Sequence, residues 1–324
     1  MKKLISFIPL FLLLSLSSMQ CNAQFSLDYG SEKEIASLKN STLYVIIDQD
    51  AHENNPEYAK IVEENWTFSK VEIIESRDFI KYLKPGNFFL TLTTMYPEGF
   101  NLEKSPASLI HFYYQLWTPE PDYLKKLQKR NYKNIEFSSL ANSMASISLI
   151  FDKSESFKAE DVMSGEYFGN GLPLYRGLGV FKNYLQGFQN KLSNLPKNVY
   201  TFVHIKNEKE LKALKTQILY VPSTFLTDNT GSSILSYTKN KRPLLDEKEI
   251  FVDYPYEYKV ISIKELNEKI LGDETIYYIS KPTEVEINVT NSKTGEMISH
   301  SFVKENGKTS KKELKELIKD MKEL

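Results

Sequence analysis

Cysteine is nearly absent from this chain: among 324 residues only Cys21 is one, and it lies in an N-terminal stretch that reads as a removable leader. A chain cleaved after Ala23 has no cysteine, so a disulfide framework and thiolate chemistry are both excluded. Histidine is also scarce. His52, His111, His204 and His300 are never three or four residues apart, and no HExxH occurs, so no local zinc motif exists. There is no excess of either charge: 41 Lys and Arg face 42 Asp and Glu, a net charge of −1. Without a concentrated basic face, nucleic acid is not an expected partner. The chain has no GxSxG elbow, no GxGxxG and no Walker loop, and no cofactor-binding pattern. Its longest apolar run, Leu4 to about Leu16, falls short of the roughly 20 residues a membrane-spanning helix needs.

That run has the anatomy of a signal peptide. Lys2 and Lys3 form a basic start, and Cys21-Asn22-Ala23 offers small residues for cleavage. Cleavage after Ala23 is preferred to lipidation at Cys21, because Ser18-Met19-Gln20 is a poor lead-in to a lipid-carrying cysteine. Losing Lys2 and Lys3 moves the net charge from −1 to −3. The expected destination is the periplasm or cell envelope, or the medium beyond it. About 300 residues are left, enough for two modest domains. Aromatics make up 13% of the chain, with 20 Tyr and 19 Phe, more than cores alone require. A surplus of tyrosine at the surface would suit a sugar, a peptide or a protein partner.

The order of elements reads as α/β. Residues 25–29 are a short strand, Ser31-x-x-Glu34 caps a helix over 32–39, and LYVIID (43–48) is a buried strand. A helix over 56–65, a strand over 70–74, a helix from Ser76 with Phe79, Ile80 and Leu83 at helical spacing, and a strand over 87–94 complete a β-α-β-α-β unit. Such a unit favours parallel strands and right-handed crossovers. An aromatic strand over 109–117, a helix over 119–131 and a strand over 147–152 follow. Gly165 to Leu195 then holds six of the chain's 13 glycines and becomes a long amphipathic helix over 178–195, ended by Pro196.

After a strand over 200–206 the chain starts again. SEKEIASLKNSTLYV (31–45) aligns without gaps to NEKELKALKTQILYV (207–221), with eight of fifteen positions identical. KVEIIESRDFIKYL (70–83) and YKVISIKELNEKIL (258–271) continue the likeness. This is the signature of an internal duplication. The second copy is expected to close differently, with a β-hairpin over 285–302 turning at 292–295. A C-terminal helix capped by Ser310-x-x-Glu313 follows, with Leu314, Leu317, Ile318, Met321 and Leu324 as its apolar stripe. On this reading the helix over 178–195 has no counterpart after the second copy.

LKNSTLYV with LKTQILYV, the glycine-rich YRGLGVFKNYLQ and YPYEYKVISIKEL together resemble a group of exported Bacteroidota proteins of unknown function. The resemblance spans most of the mature chain. It implies an envelope or secreted location in a Gram-negative cell, and it supplies no activity and no catalytic residues.

Two sets of residues are candidates for a site. In the first, Arg176, Gly177 and Gly179 open a helix whose free N–H groups are able to hold an anion. Lys182 adds charge, and Asn183 and Gln186 add amides suited to a ligand's hydroxyls. The competing reading is a tight turn that lets the helix approach a neighbour, with amides that hydrogen-bond the two halves together. In the second, Asp48, Asp50 and His52 follow the first buried strand, at the carboxyl end where α/β sheets bind ligands, as a metal or acid/base group. That acidic cluster is not repeated in the second copy, whose loop begins Pro222-Ser223-Thr224.

The fold expected is two related β-α-β-α-β units with mixed sheets, over 24–196 and 197–324, joined by the long amphipathic helix. A single merged sheet is the other arrangement. The function expected is a non-enzymatic exported module that binds a small ligand or an envelope protein. The alternative is an envelope hydrolase using carboxylates in a cleft between the halves.

Overall fold

The computed structural model describes residues 25–27, 32–47, 55–95, 111–135, 137–149, 177–194, 205–226, 246–272, 274–283, 286–302 and 314–324. They form two separate six-stranded mixed sheets. The first contains β1 (Phe25–Leu27), β2 (Thr42–Ile46), β3 (Lys70–Ile74), β4 (Phe88–Met95), β5 (His111–Pro119) and β6 (Ala141–Leu149), in the order β1-β6-β5-β4-β2-β3. Strand β2 is parallel to β3 and β4, whereas β4, β5, β6 and β1 run successively antiparallel. Its helices are α1 (Glu32–Leu38), α2 (Asn55–Asn65), α3 (Phe79–Tyr82) after a 3-10 turn at Ser76–Asp78, α4 (Pro121–Lys129) and α5 (Phe137–Leu140). The long helix α6 (Leu178–Ser193) follows.

The second sheet contains β7 (Ile205–Lys206), β8 (Leu219–Pro222), β9 (Tyr258–Ile261), β10 (Tyr277–Thr283), β11 (Glu286–Asn291) and β12 (Met297–Phe302), in the order β7-β12-β11-β10-β8-β9. Its helices are α7 (Glu208–Leu214), α8 (Glu247–Ile250), α9 (Ile263–Leu271) and α10 (Lys315–Lys322). Strand for strand, the order and the directions repeat those of the first sheet. Register makes the match residue by residue: Leu43 lies between Val71 and Phe88, and its counterpart Leu219 lies between Tyr258 and Tyr277.

Two expectations are corrected here. The copies close alike, because β4-β5-β6 in the first is the same antiparallel meander as β10-β11-β12 in the second. What differs is the link between the last two strands: α4 and α5 in the first copy, and a tight turn at Ser292–Thr294 in the second. Helix α6 also has a counterpart. Helix α10 follows the last strand of its sheet, as α6 does, and packs on the corresponding face. Smaller differences have local causes. Strand β6 starts at Ala141, through a small and polar stretch without apolar periodicity. Ile80 is 44% exposed, because the chain enters α3 as a 3-10 turn and rotates that residue outward. The cap residues Ser31, Ser310 and Glu313 lie outside the described residues.

Strand alternation gives each sheet two faces. In the first, Leu43, Val45, Phe88, Leu90, Tyr114 and Leu116 pack under α1, α2 and α6, while Phe89, Ile74 and Trp117 pack under α3, α4 and α5. In the second, Leu219, Val221, Tyr277 and Ile279 pack under α7, α8 and α10. The opposite face, with Tyr278, Met297 and the α9 residues Leu266 and Ile270, belongs to the same core as α6. Helix α6 therefore lies on the front of one sheet and against the back of the other. Phe181, Leu185 and Phe188 are fully buried there, each contributing about 1.5–3 kcal/mol by leaving water. Helix α10 turns Lys315, Glu316, Lys319 and Lys322 to solvent instead, so the stack of units ends there.

Candidate functional site

The glycines that open α6 mark a contact with α9. Gly177 has φ +96°, a conformation that disfavours a side chain, and a Cβ there would run into the Asn267 side chain. A Cβ on Gly179 would sit 2.7 Å from the Asn267 carbonyl oxygen and 2.9 Å from Ile270 Cβ. The Asn267 side chain fills the first turn. Its Oδ1 accepts from the Val180 N–H at 3.0 Å, and its Nδ2 donates to the Ile263 carbonyl at 2.8 Å. An N–H that an anion would have used is thus bonded to a protein amide.

The amides along α6 are shared between the units. Asn183, 1% exposed, donates from Nδ2 to the Ser292 carbonyl at 2.7 Å and to Gln186 Oε1 at 2.8 Å, and Asn190 donates to the Thr294 carbonyl at 3.1 Å. Both thereby hold the β11–β12 turn. Gln189 reaches the other way. Its Oε1 accepts from the Thr67 N–H at 2.6 Å and the Phe68 N–H at 3.1 Å, and its Nε2 donates to the Asn65 carbonyl at 2.6 Å. Gln189 and Asn190 belong to the same amide face of the helix; Asn190 bridges to the second unit as Asn183 does, and Gln189 binds within the first. Lys182 is half-buried on the same helix. Arg176, Asp48, Asp50 and His52 lie outside the described residues. In the sequence Asp48 comes two residues after Ile46, the last residue of β2.

A buried polar row was not read from the sequence. Ser280, Asn288 and His300 are opposite one another on β10, β11 and β12, and are 6%, 0% and 7% exposed. His300 Nδ1 and Asn288 Oδ1 are 2.6 Å apart. The same row in the first sheet is Thr91, Gln115 and Ser146, also polar, with Thr91 accepting from the Trp117 indole N–H at 3.1 Å. The periodicity of a strand reveals which side chains share a face, but only register aligns them across strands. Among the described residues no cluster of three His, Cys, Asp or Glu is arranged to hold a metal. A shallow, open depression of about 350 Å³ lies beside β9 and α9, lined by Lys259, Ile261, Glu265, Glu268, Lys269 and Gly272. Two of its charges are committed locally: Glu265 closes the capping box with Ser262, and Lys269 Nζ sits 4.9 Å from the Tyr220 ring centroid.

Of the thirteen tyrosines whose burial is described, six are buried and seven are half-buried. Tyr58, Tyr114, Tyr184, Tyr254, Tyr277 and Tyr278 are all buried. Burial, and then the hydrogen bond its hydroxyl donates to Glu210 Oε2 at 2.9 Å, push the Tyr277 phenol up to about 12. An unfolded tyrosine loses its proton near pH 10 and the folded one only near 12, so between those values the folded state binds more protons. The stabilisation is therefore whole below pH 10 and lost as pH rises toward 12. Chemical denaturation from pH 8 to 12 should show stability falling above pH 10. Tyr277→Phe should have a flatter alkaline limb, and an unchanged limb would contradict the assignment.

Compared with protein-family models, with curated proteins and with solved structures, the chain matches none. No helix among the described residues is long and apolar enough to cross a membrane.

Proposed function

We propose that this is an exported protein of the periplasm or cell envelope, which binds a small ligand or another envelope protein and carries out no chemistry of its own. What supports this reading is how α6 is used. Its glycines, its first-turn N–H of Val180 and the amides of Asn183 and Asn190 join it to the second unit, while Gln189 ties it to Asn65, Thr67 and Phe68 of its own unit. A continuous apolar core occupies the space between the sheets where a catalytic cleft would have to open. Two units locked in this way make a rigid frame for loops at the carboxyl ends of the parallel strands, the usual place for recognition in α/β proteins. The N-terminal leader carries the export part of the proposal.

Two measurements test it. Mass spectrometry of the protein from the envelope fraction of an expressing Gram-negative host should find Gln24 at the N-terminus; an intact leader in the cytoplasm overturns the location. Ligand-observed NMR against muropeptides and envelope glycans, with each mixture followed by mass spectrometry, addresses the activity. Binding without product supports the module. Product formation that is lost in Asp48→Asn or His52→Ala establishes the hydrolase instead.

A further inference from the structure

Among the described residues β3 and β9 are edges, each paired on one side only. The Ile47 N–H donates to the Ile74 carbonyl at 3.0 Å, so Ile74 turns its backbone groups toward β2. Alternation then turns Glu72 and Lys70 the same way, and leaves the N–H and C=O of Val71 and Ile73 pointing outward. On β9 the Leu219 N–H donates to the Glu257 carbonyl at 3.1 Å, which leaves Tyr258 and Val260 pointing outward in the same manner.

An edge of this kind is open to another strand. If a second copy approaches β3 antiparallel about a two-fold axis, the outward groups meet in registers centred on Val71, Glu72 or Ile73. Centring on Glu72 sets that carboxylate against itself. Centring on Ile73 sets Glu72 against Ile74. Centring on Val71 sets Lys70 opposite Glu72 of the second copy and Glu72 opposite Lys70 of the second copy, and brings Ser69, Val71 and Ile73 into hydrogen-bonding positions. Lys70 and Glu72 are exposed, and Val71 and Ile73 are half-buried. The Glu72 carboxylate lies near enough to the Tyr82 hydroxyl on this side of the sheet to raise its phenol above the usual value.

The second unit carries the same device with the signs exchanged. Glu257, Tyr258 and Lys259 occupy the places of Lys70, Val71 and Glu72, and Glu257 and Lys259 are exposed. Setting β3 against β9 in the matching register would oppose Lys70 to Lys259 and Glu72 to Glu257. Each edge is complementary to itself and repels the other.

We propose that the chain self-associates as a two-fold dimer through β3, in the register centred on Val71, joining two copies of the first sheet into one. Strand β3, Lys70–Ile74, is the longer of the two edges, since β9 covers only Tyr258–Ile261. An edge of this length makes a small interface, so the dimer is weak and concentration-dependent.

Sedimentation velocity on the mature chain between about 1 and 100 µM tests this. The wild type should dimerise across that range. Lys70→Glu alone and Glu72→Lys alone should each weaken dimerisation about tenfold or more, because both put like charges opposite each other twice. The double variant Lys70→Glu/Glu72→Lys should restore association, and Lys259→Glu should leave it unchanged. All three side chains are at the surface, so circular dichroism should not change. A wild type that stays monomeric throughout overturns the proposal. So does a dimer indifferent to the single reversals, or one dissolved by Lys259→Glu instead.

Discussion

Gly179→Val should destabilise the whole molecule by about 2–3 kcal/mol, lowering the melting temperature by roughly 5–10 °C. The added Cβ would stand 2.7 Å from the Asn267 carbonyl oxygen and 2.9 Å from Ile270 Cβ, and Asn267 Cα is 3.0 Å away. Two of these are main-chain atoms of α9, so no side-chain rotation relieves the clash, and α6 must lift from the second unit. Differential scanning calorimetry gives the size of the effect and hydrogen exchange gives its reach. Protection should fall together in β2, β4 and β10, because the core around α6 contains Leu43 and Val45 of one sheet and Tyr278 of the other. Loss confined to one sheet would show that the units fold independently. A stable Gly179→Val variant that had lost only binding of an anionic ligand would return these glycines to the role of an anion-binding loop.

Phe181→Ala is expected to cost about 3–5 kcal/mol. Phe181 is 0% exposed and is held between two tyrosines of the first unit: Tyr58 on α2, edge-on at 5.3 Å between centroids, and Tyr114 on β5 at 5.4 Å. Removing the ring leaves a void that two stacked sheets have little freedom to close. The loss therefore includes a cavity term beyond the lost burial. Urea denaturation should give a lower midpoint with the slope retained, and Phe181→Leu should recover most of the difference. A change below about 1 kcal/mol would mean that α6 does not pack against α2 and β5 as described.

Both effects follow from one architectural fact: a repeated unit is stacked front to back, with a helix of the first serving as the cover of the second. The back of the first sheet is covered differently. Helix α4 supplies Leu124 and Leu127 over Phe89 and Trp117, which stack at 4.7 Å. Helix α10 closes the other end with a charged outer side. With charged or helix-covered faces at both ends of the described stack, the proposed dimer forms instead at a strand edge.

Much of this was legible from local pattern. The strand at 70–74 and the start of α6 at Leu178 are where apolar spacing places them, and α1 and α7 occupy equivalent places in the gapless alignment of 31–45 with 207–221. The closing halves of the units looked unlike because α4 and α5 interrupt β5 and β6, whereas β11 and β12 are joined by a tight turn. Sequence comparison registers the interruption, while register shows the shared meander. The kinship of α6 and α10 was hidden for a related reason. One is apolar on two sides and the other on one, since only α6 has a second sheet to meet.

The candidate site shows the same division. The glycines and amides of α6 stood out in the sequence, and so did their two readings, anion turn or close contact. Asn267, 87 residues from Val180, fills the turn, and Ser292, 109 residues from Asn183, takes its amide. No local pattern encodes those partners. By itself the sequence determined the α/β class, the duplication and the helix at 178, because each depends on composition or on spacings read along the chain. Tertiary structure decided that the units stack front to back, that α6 is common to both, and that charge–apolar–opposite charge lies on an open edge of each sheet. Those depend on which distant surfaces exclude water together, and on strand register, which places residues far apart in the chain side by side.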